Sequence, residues 1–206
     1  MINYILAENM KHKNSFLKKL IYILPAIPVF LSYIMMPFYF TANAYNWWYI
    51  LLLPMTFALI PSLMNRKEER KLKYKTIFSL NINLKKAWIS KIITASIYIF
   101  ISEIIHLILV FVLQKFVSNQ FYEAYEFKTL FMASIILIIS NIWQIPFCFF
   151  LAKKFGFITS IFINTILASI LGVLFSSSPL WIYCPYSWGI RLMVSVLKIL
   201  PNGTIA

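Results

Sequence analysis

The chain has 206 residues, 61% of them hydrophobic and 18% aromatic, with a formal charge of +13 and a mean hydropathy of +0.80. An ordinary globular domain is about half apolar, so composition excludes a soluble domain. The absence of period-two alternation argues against a membrane β-barrel. The fold class expected is all-α: a polytopic helical membrane protein.

In chain order, residues 2–19 read as one amphipathic helix in the membrane interface. At 100° per residue Ile2, Ile5, Leu6, Met10, Phe16, Leu17 and Leu20 fall within one arc of about 140°, with Glu8, Lys11, Lys18 and Lys19 outside it. Five apolar runs follow, 20–40, 47–64, 92–113, 130–151 and 155–175, each near the roughly 20 residues that cross a hydrocarbon core. The first lacks a small-residue cleavage site and is expected to remain as a span. Pro25, Pro28 and Pro37 in that span, and Pro54 and Pro61 in the second, remove backbone donors that neighbouring helices must make good. Asn46, Trp47, Trp48 and Tyr49 read as an aromatic belt at the outer end of span two, with a very short connection before it.

Residues 66–91 hold nine of the nineteen Lys and Arg residues, in a connection much longer than most. Glu68 and Glu69 precede Lys71 and Lys73 at helical spacing, which supports a charged helix. Asn83 reads as the N-cap of a second helix running through Trp88 into span three. Counting Lys11, Lys13, Lys18 and Lys19 before span one, and Lys153 and Lys154 after span four, fifteen of the nineteen cations lie on one side. That asymmetry places the N-terminus in the cytoplasm. The excess charge suits an anionic leaflet rather than nucleic acid. On the outer side, 180–200 contains Pro185 and Arg191 and reads as an interfacial element rather than a span. Cys148 and Cys184 are expected to be unbridged.

No catalytic constellation is present. Gly156, Gly172, Gly189 and Gly203 cannot supply G-x-x-x-x-G-K-[ST], so any ATP must be bound by another chain. There is no H-E-x-x-H or zinc spacing, and Asp is absent. The expectation is therefore no enzyme activity and no cofactor of its own. Glu103 and His106 are the acid and imidazole within the spans, three residues apart on one helical face. They form either a substrate-contacting polar site or a Glu–His pair hydrogen-bonded for helix packing.

The stretches NWWYILLLP (46–54), EERKLKYKTIFSLNINLKKAWISKI (68–92) and CPYSWGIRL (184–192) give the chain a further character. In them it resembles bacterial lantibiotic-immunity permeases, membrane subunits of ABC-2-type transporters. The charged loop leading into S-L-x-x-x-L-K-K-x-W is the most specific part. The resemblance implies a multi-pass protein of the bacterial cytoplasmic membrane, giving bacteriocin resistance by peptide export. It implies a separate ABC ATPase subunit as partner, a sister permease or a second copy, and an amphipathic cationic peptide as substrate. The ATPase-coupling residues carried over are Glu68, Glu69, Lys73, Tyr74, Leu80, Lys85, Lys86 and Trp88. A sixth span is expected from the family but is not evident before residue 206. The alternative is a stand-alone membrane immunity or scaffold protein that binds the peptide without ATP.

Overall fold

The computed structural model describes residues 1–69, 83–121 and 124–205, the side chains of 118–121 excepted. These residues are helical throughout, apart from turns and one isolated bridge between Ile199 and Ile205. The elements are α1 (Ile2–Lys11), α2 (Phe16–Met35), α3 (Phe40–Trp47), α4 (Leu53–Lys67), α5 (Leu84–Phe121), α6 (Phe127–Asn141), α7 (Gln144–Phe155), α8 (Phe157–Ser176) and α9 (Pro185–Leu197).

Four stretches among the described residues are long and apolar enough to cross a membrane: Phe16–Met35, Pro37–Lys67, Leu84–Val117 and Phe157–Ser176. A fifth forms if α6 and α7, bent by 45° at their junction, act as one span. The chain is thus a multi-pass helical membrane protein. At about 1.5 Å per residue, the 38 residues of α5 reach about 57 Å, beyond a core about 30 Å thick.

Several expected boundaries move. The interfacial helix ends at Lys11, and a turn over His12–Ser15 separates it from α2. Leu17 and Leu20 are buried in the bundle, while Ile2, Leu6 and Met10 are 73%, 54% and 72% exposed. The apolar side of α1 thus faces away from the protein, where a bilayer surface would cover it. Its polar side is turned inward, and Glu8 is buried.

Span one stops at Met35, and Met36 alone separates it from the next helical stretch, which Pro37 begins. Proline disfavours helical backbone in the residue before it and lacks the N–H that would continue a helix. The connection is as short as expected but lies about ten residues earlier. Trp48 and Tyr49 therefore do not form a belt at a span's end. They sit within the helix and are buried, with only Trp47 of that group turned outward.

The chain runs from α3 through a π-helical turn, Trp48–Leu52, into α4. Pro54 cannot donate to the carbonyl of Ile50, and the hydroxyl of Ser169 donates there instead at 3.1 Å. A buried amide network fills the α6–α7 break. Asn164 Nδ2 donates to Pro54 O at 2.9 Å and to Gln144 Oε1 at 2.8 Å. Gln144 Nε2 in turn donates to Asn141 Oδ1 at 2.7 Å. Gly156, at φ +89°, makes the single-residue turn between α7 and α8, a conformation that glycine adopts without strain.

Residues 180–200 supply no candidate span, and part of the segment packs into the bundle. Pro185 starts α9 in the first helical turn, where its missing N–H is harmless. α9 packs between α6 and α8, burying Ile190, Met193 and Leu197. A Cβ on Gly172 would stand 2.9 Å from Ile190 Cδ1 and 3.0 Å from the Tyr186 carbonyl, and one on Gly189 would stand 2.8 Å from Asn141 Nδ2. Both cysteines are free and buried.

Candidate functional site

Two clusters hold the candidate residues, one in the interior and one at the lysine-rich end. In the interior, Glu103 and His106 lie one turn apart on α5, and both are fully buried. Trp48 joins them. Its Nε1 donates to Glu103 Oε2 at 2.7 Å, and its indole stacks on the imidazole with centroids 4.7 Å apart and planes 10° from parallel. Tyr45 packs edge-on against His106 at 4.9 Å and bonds the Leu130 carbonyl and the Ser134 hydroxyl, each at 3.3 Å.

A direct Glu–His hydrogen bond, one of the two readings of this pair, is not formed. Among the described residues neither ring nitrogen of His106, nor Glu103 Oε1, has a partner at hydrogen-bonding distance and geometry. The indole separates the acid from the imidazole, its N–H meeting one and its face the other. What the cluster does physically is join α5 to the α3–α4 helix and, through Tyr45, to α6.

At the lysine-rich end, Glu68 is 1% exposed. Its carboxylate accepts from Lys11 Nζ at 2.9 Å and from Lys91 Nζ. Lys11 also bonds Glu8 at 2.7 Å, and Lys67 Nζ donates to the Lys11 carbonyl. Buried charges are tolerated where they are paired in this way. Burial raises the Glu8 carboxyl, but His12, Lys11 and Lys91 outweigh it and hold the group below its ordinary value. Burial likewise lowers Lys11, and its bonds to Glu8 and Glu68 overcome that and raise it.

Two further bonds fasten α1 to α5. Tyr98 Oη donates to Asn9 Oδ1 at 2.7 Å, and the Asn83 N–H donates to Tyr4 Oη at 3.3 Å. Asn83 caps α5 as expected, its Oδ1 accepting from the Lys86 N–H at 3.1 Å. One ion-paired knot therefore gathers α1, the end of α4 and the start of α5.

The coupling residues expected from the sequence divide into three groups. Lys85, Lys86, Trp88 and Glu69 are exposed. Glu68 is enclosed within the chain and presents nothing to a partner. Lys73, Tyr74 and Leu80 lie outside the described residues.

Sequence reasoning missed Trp48 and Tyr45 as interior groups, since their aromatic setting looked interfacial. It also missed Lys11 and Lys91 as the partners of Glu68. A signal existed for the Asn141, Gln144 and Asn164 network, because three amides in apolar runs must find partners among themselves.

Fold and clusters together define a multi-pass helical membrane protein with its charge gathered at one end. No protein-family model, curated protein or solved structure matches the chain.

Proposed function

We propose that the chain is the membrane-spanning subunit of an ATP-driven exporter, expelling an amphipathic cationic peptide and giving resistance of the lantibiotic-immunity kind. A separate ATPase subunit supplies the hydrolysis and docks on the 66–91 region. The lysine-rich end faces the cytoplasm, as the charge asymmetry requires. A sister permease or a second copy completes the pathway.

The observation that carries this reading is the pairing of Glu68 with Lys11 and Lys91. Both ends of the 66–91 region and the surface helix α1 meet at one buried carboxylate. A force applied to the exposed start of α5, at Lys85, Lys86 and Trp88, is passed to α1 and α4 together rather than dissipated in a loose loop. The resemblance of 68–92 to the coupling stretch of lantibiotic-immunity permeases supports the same assignment.

The test is co-expression with the ABC ATPase encoded nearest to the gene, followed by capture in detergent and a peptide-resistance assay. Wild-type chain should retain the ATPase, and K85E/K86E should lose both capture and resistance while still inserting. Resistance that persists without any ATPase would replace this reading with a stand-alone peptide-binding protein.

A further inference from the structure

A cavity of about 600 Å³ opens between the α2–α3 junction and residues 202–205, but its walls are aromatic and amide and carry no charge. A second, of about 480 Å³, opens at the lysine-rich end and is chemically more decided. Arg66, Lys67, His12, Asn14 and Ser15 surround its polar side, and Phe16, Leu17 and Leu63 its apolar side.

Arg66 donates no hydrogen bond among the described residues. Its guanidinium lies 4.9 Å from the centre of the Phe157 ring, so its position is fixed by stacking while its donors stay available. Glu68 holds Lys11 and Lys91, Glu8 holds Lys11 and His12, and the exposed Glu69 makes no ion pair with Arg66. The cavity thus presents a guanidinium that no acid pairs among the described residues. Leu63 also packs against a separate buried cluster of Leu20, Leu24 and Leu59. At the cavity rim Phe16 is 62% exposed.

We propose that this cavity binds the phosphate group of an anionic phospholipid, with Arg66 as the principal donor and Lys67 adding charge. Guanidinium pairs with phosphate through two parallel hydrogen bonds. Phe16 at the rim and Leu63 in the wall offer apolar surface to an acyl chain, which a free phosphate would not use. A lipid seated there bridges α2 and α4 at the edge of the ion-paired knot. The inference rests on the membrane fold and not on the exporter assignment.

The test is native mass spectrometry of the full chain in detergent after equilibration with vesicles of equal phosphatidylglycerol and phosphatidylcholine. Both lipids carry the phosphate, but the choline cation of phosphatidylcholine is repelled by Arg66 and Lys67, so wild-type protein should retain phosphatidylglycerol about tenfold in excess. R66Q should bring the two lipids to near parity and R66K should restore part of the preference. K198Q, changed at a distant cation, should behave as wild type.

Equal retention of the two lipids by wild-type protein would overturn the proposal, whatever the variants do. So would an R66Q protein that keeps the full preference. Displacement of phosphatidylglycerol by millimolar inorganic phosphate would assign the site to a free anion instead. If R66Q folds poorly, the wild-type preference and its resistance to phosphate still decide.

Discussion

Trp48 illustrates how one side chain sets the interior. It supplies the N–H that a buried carboxyl needs and a flat face that a buried imidazole can stack on. W48F keeps an aromatic face but removes the N–H donor together with the indole's second ring, so Glu103 Oε2 loses its bond. It should lower stability by about 1–3 kcal/mol for the lost bond, to which the vacated indole volume adds. E103L with W48F should cost less than the two single changes summed, because both partners of one bond are removed together. Thermal unfolding of the four proteins in one detergent checks both statements, and strict additivity would show that the bond carries no weight.

The Glu8 and Lys11 groups predict a pH response at the same scale. Glu8 is held below its ordinary 4.5, so its contribution is present above that value and is lost as the pH falls through the lower folded value. Lys11 is held above its ordinary 10.5, so its contribution is complete below that value and fades as the pH rises through the folded one. Between these limits the knot should be constant. Amide hydrogen exchange in α1 should therefore be flat from about pH 5 to pH 10, after correction for the intrinsic rate, and rise below about pH 4. Protection in α1 that changes steadily across neutral pH would contradict this assignment.

Among the elements, the second helical stretch shows how a span accommodates proline. Pro54 withholds a donor from Ile50, and Ser169 on α8 replaces it. S169A should cost about 1 kcal/mol, a typical hydrogen bond between membrane helices. In a P54A background the restored backbone N–H takes over, and S169A should become nearly neutral. An unchanged cost in that background would mean that Ser169 acts through packing alone.

The α8–α9 contact is set by space rather than by polarity. G172A would push a methyl group against the Tyr186 backbone, which cannot swing aside as a side chain can. G189A meets side chains of Asn141 and Ser140, which give way only by disturbing the buried amide network. Both substitutions should lower the unfolding temperature, and little change in either would mean that α9 is only loosely docked.

For the whole molecule, the charge asymmetry makes the orientation testable without altering the spans. Cys148 and Cys184 are buried, so a membrane-impermeant maleimide should leave the unaltered protein nearly unlabelled. N14C should be labelled only after permeabilisation, and K128C in intact cells. The reverse pattern would invert the proposed topology and remove the 66–91 region from the reach of a cytoplasmic ATPase.

Much of this architecture is legible in the residues because bilayer chemistry leaves little choice. A run of about 20 apolar residues can only be a helix in lipid, which is why the runs beginning near residues 20, 92 and 155 appear as α2, α5 and α8. Asn83 declares its cap by type and position. Residues 40–46 were not legible: Thr41, Asn43 and Asn46 look like a loop, yet the stretch is helical, with Thr41 and Tyr45 meeting Gln114 and Ser134 from far along the chain. The bend at 142–143 was hidden in the same way, since amides from three helices satisfy it.

Alone, the sequence determined that the chain is helical, crosses a membrane several times and carries its cations at one end, because hydropathy and charge are sums over residues. Tertiary structure decided that Glu68 is an internal clamp, that Trp48 lies between Glu103 and His106, and that α9 belongs to the bundle. Those outcomes depend on which distant groups meet, and a buried polar group takes its meaning from the partner that satisfies it.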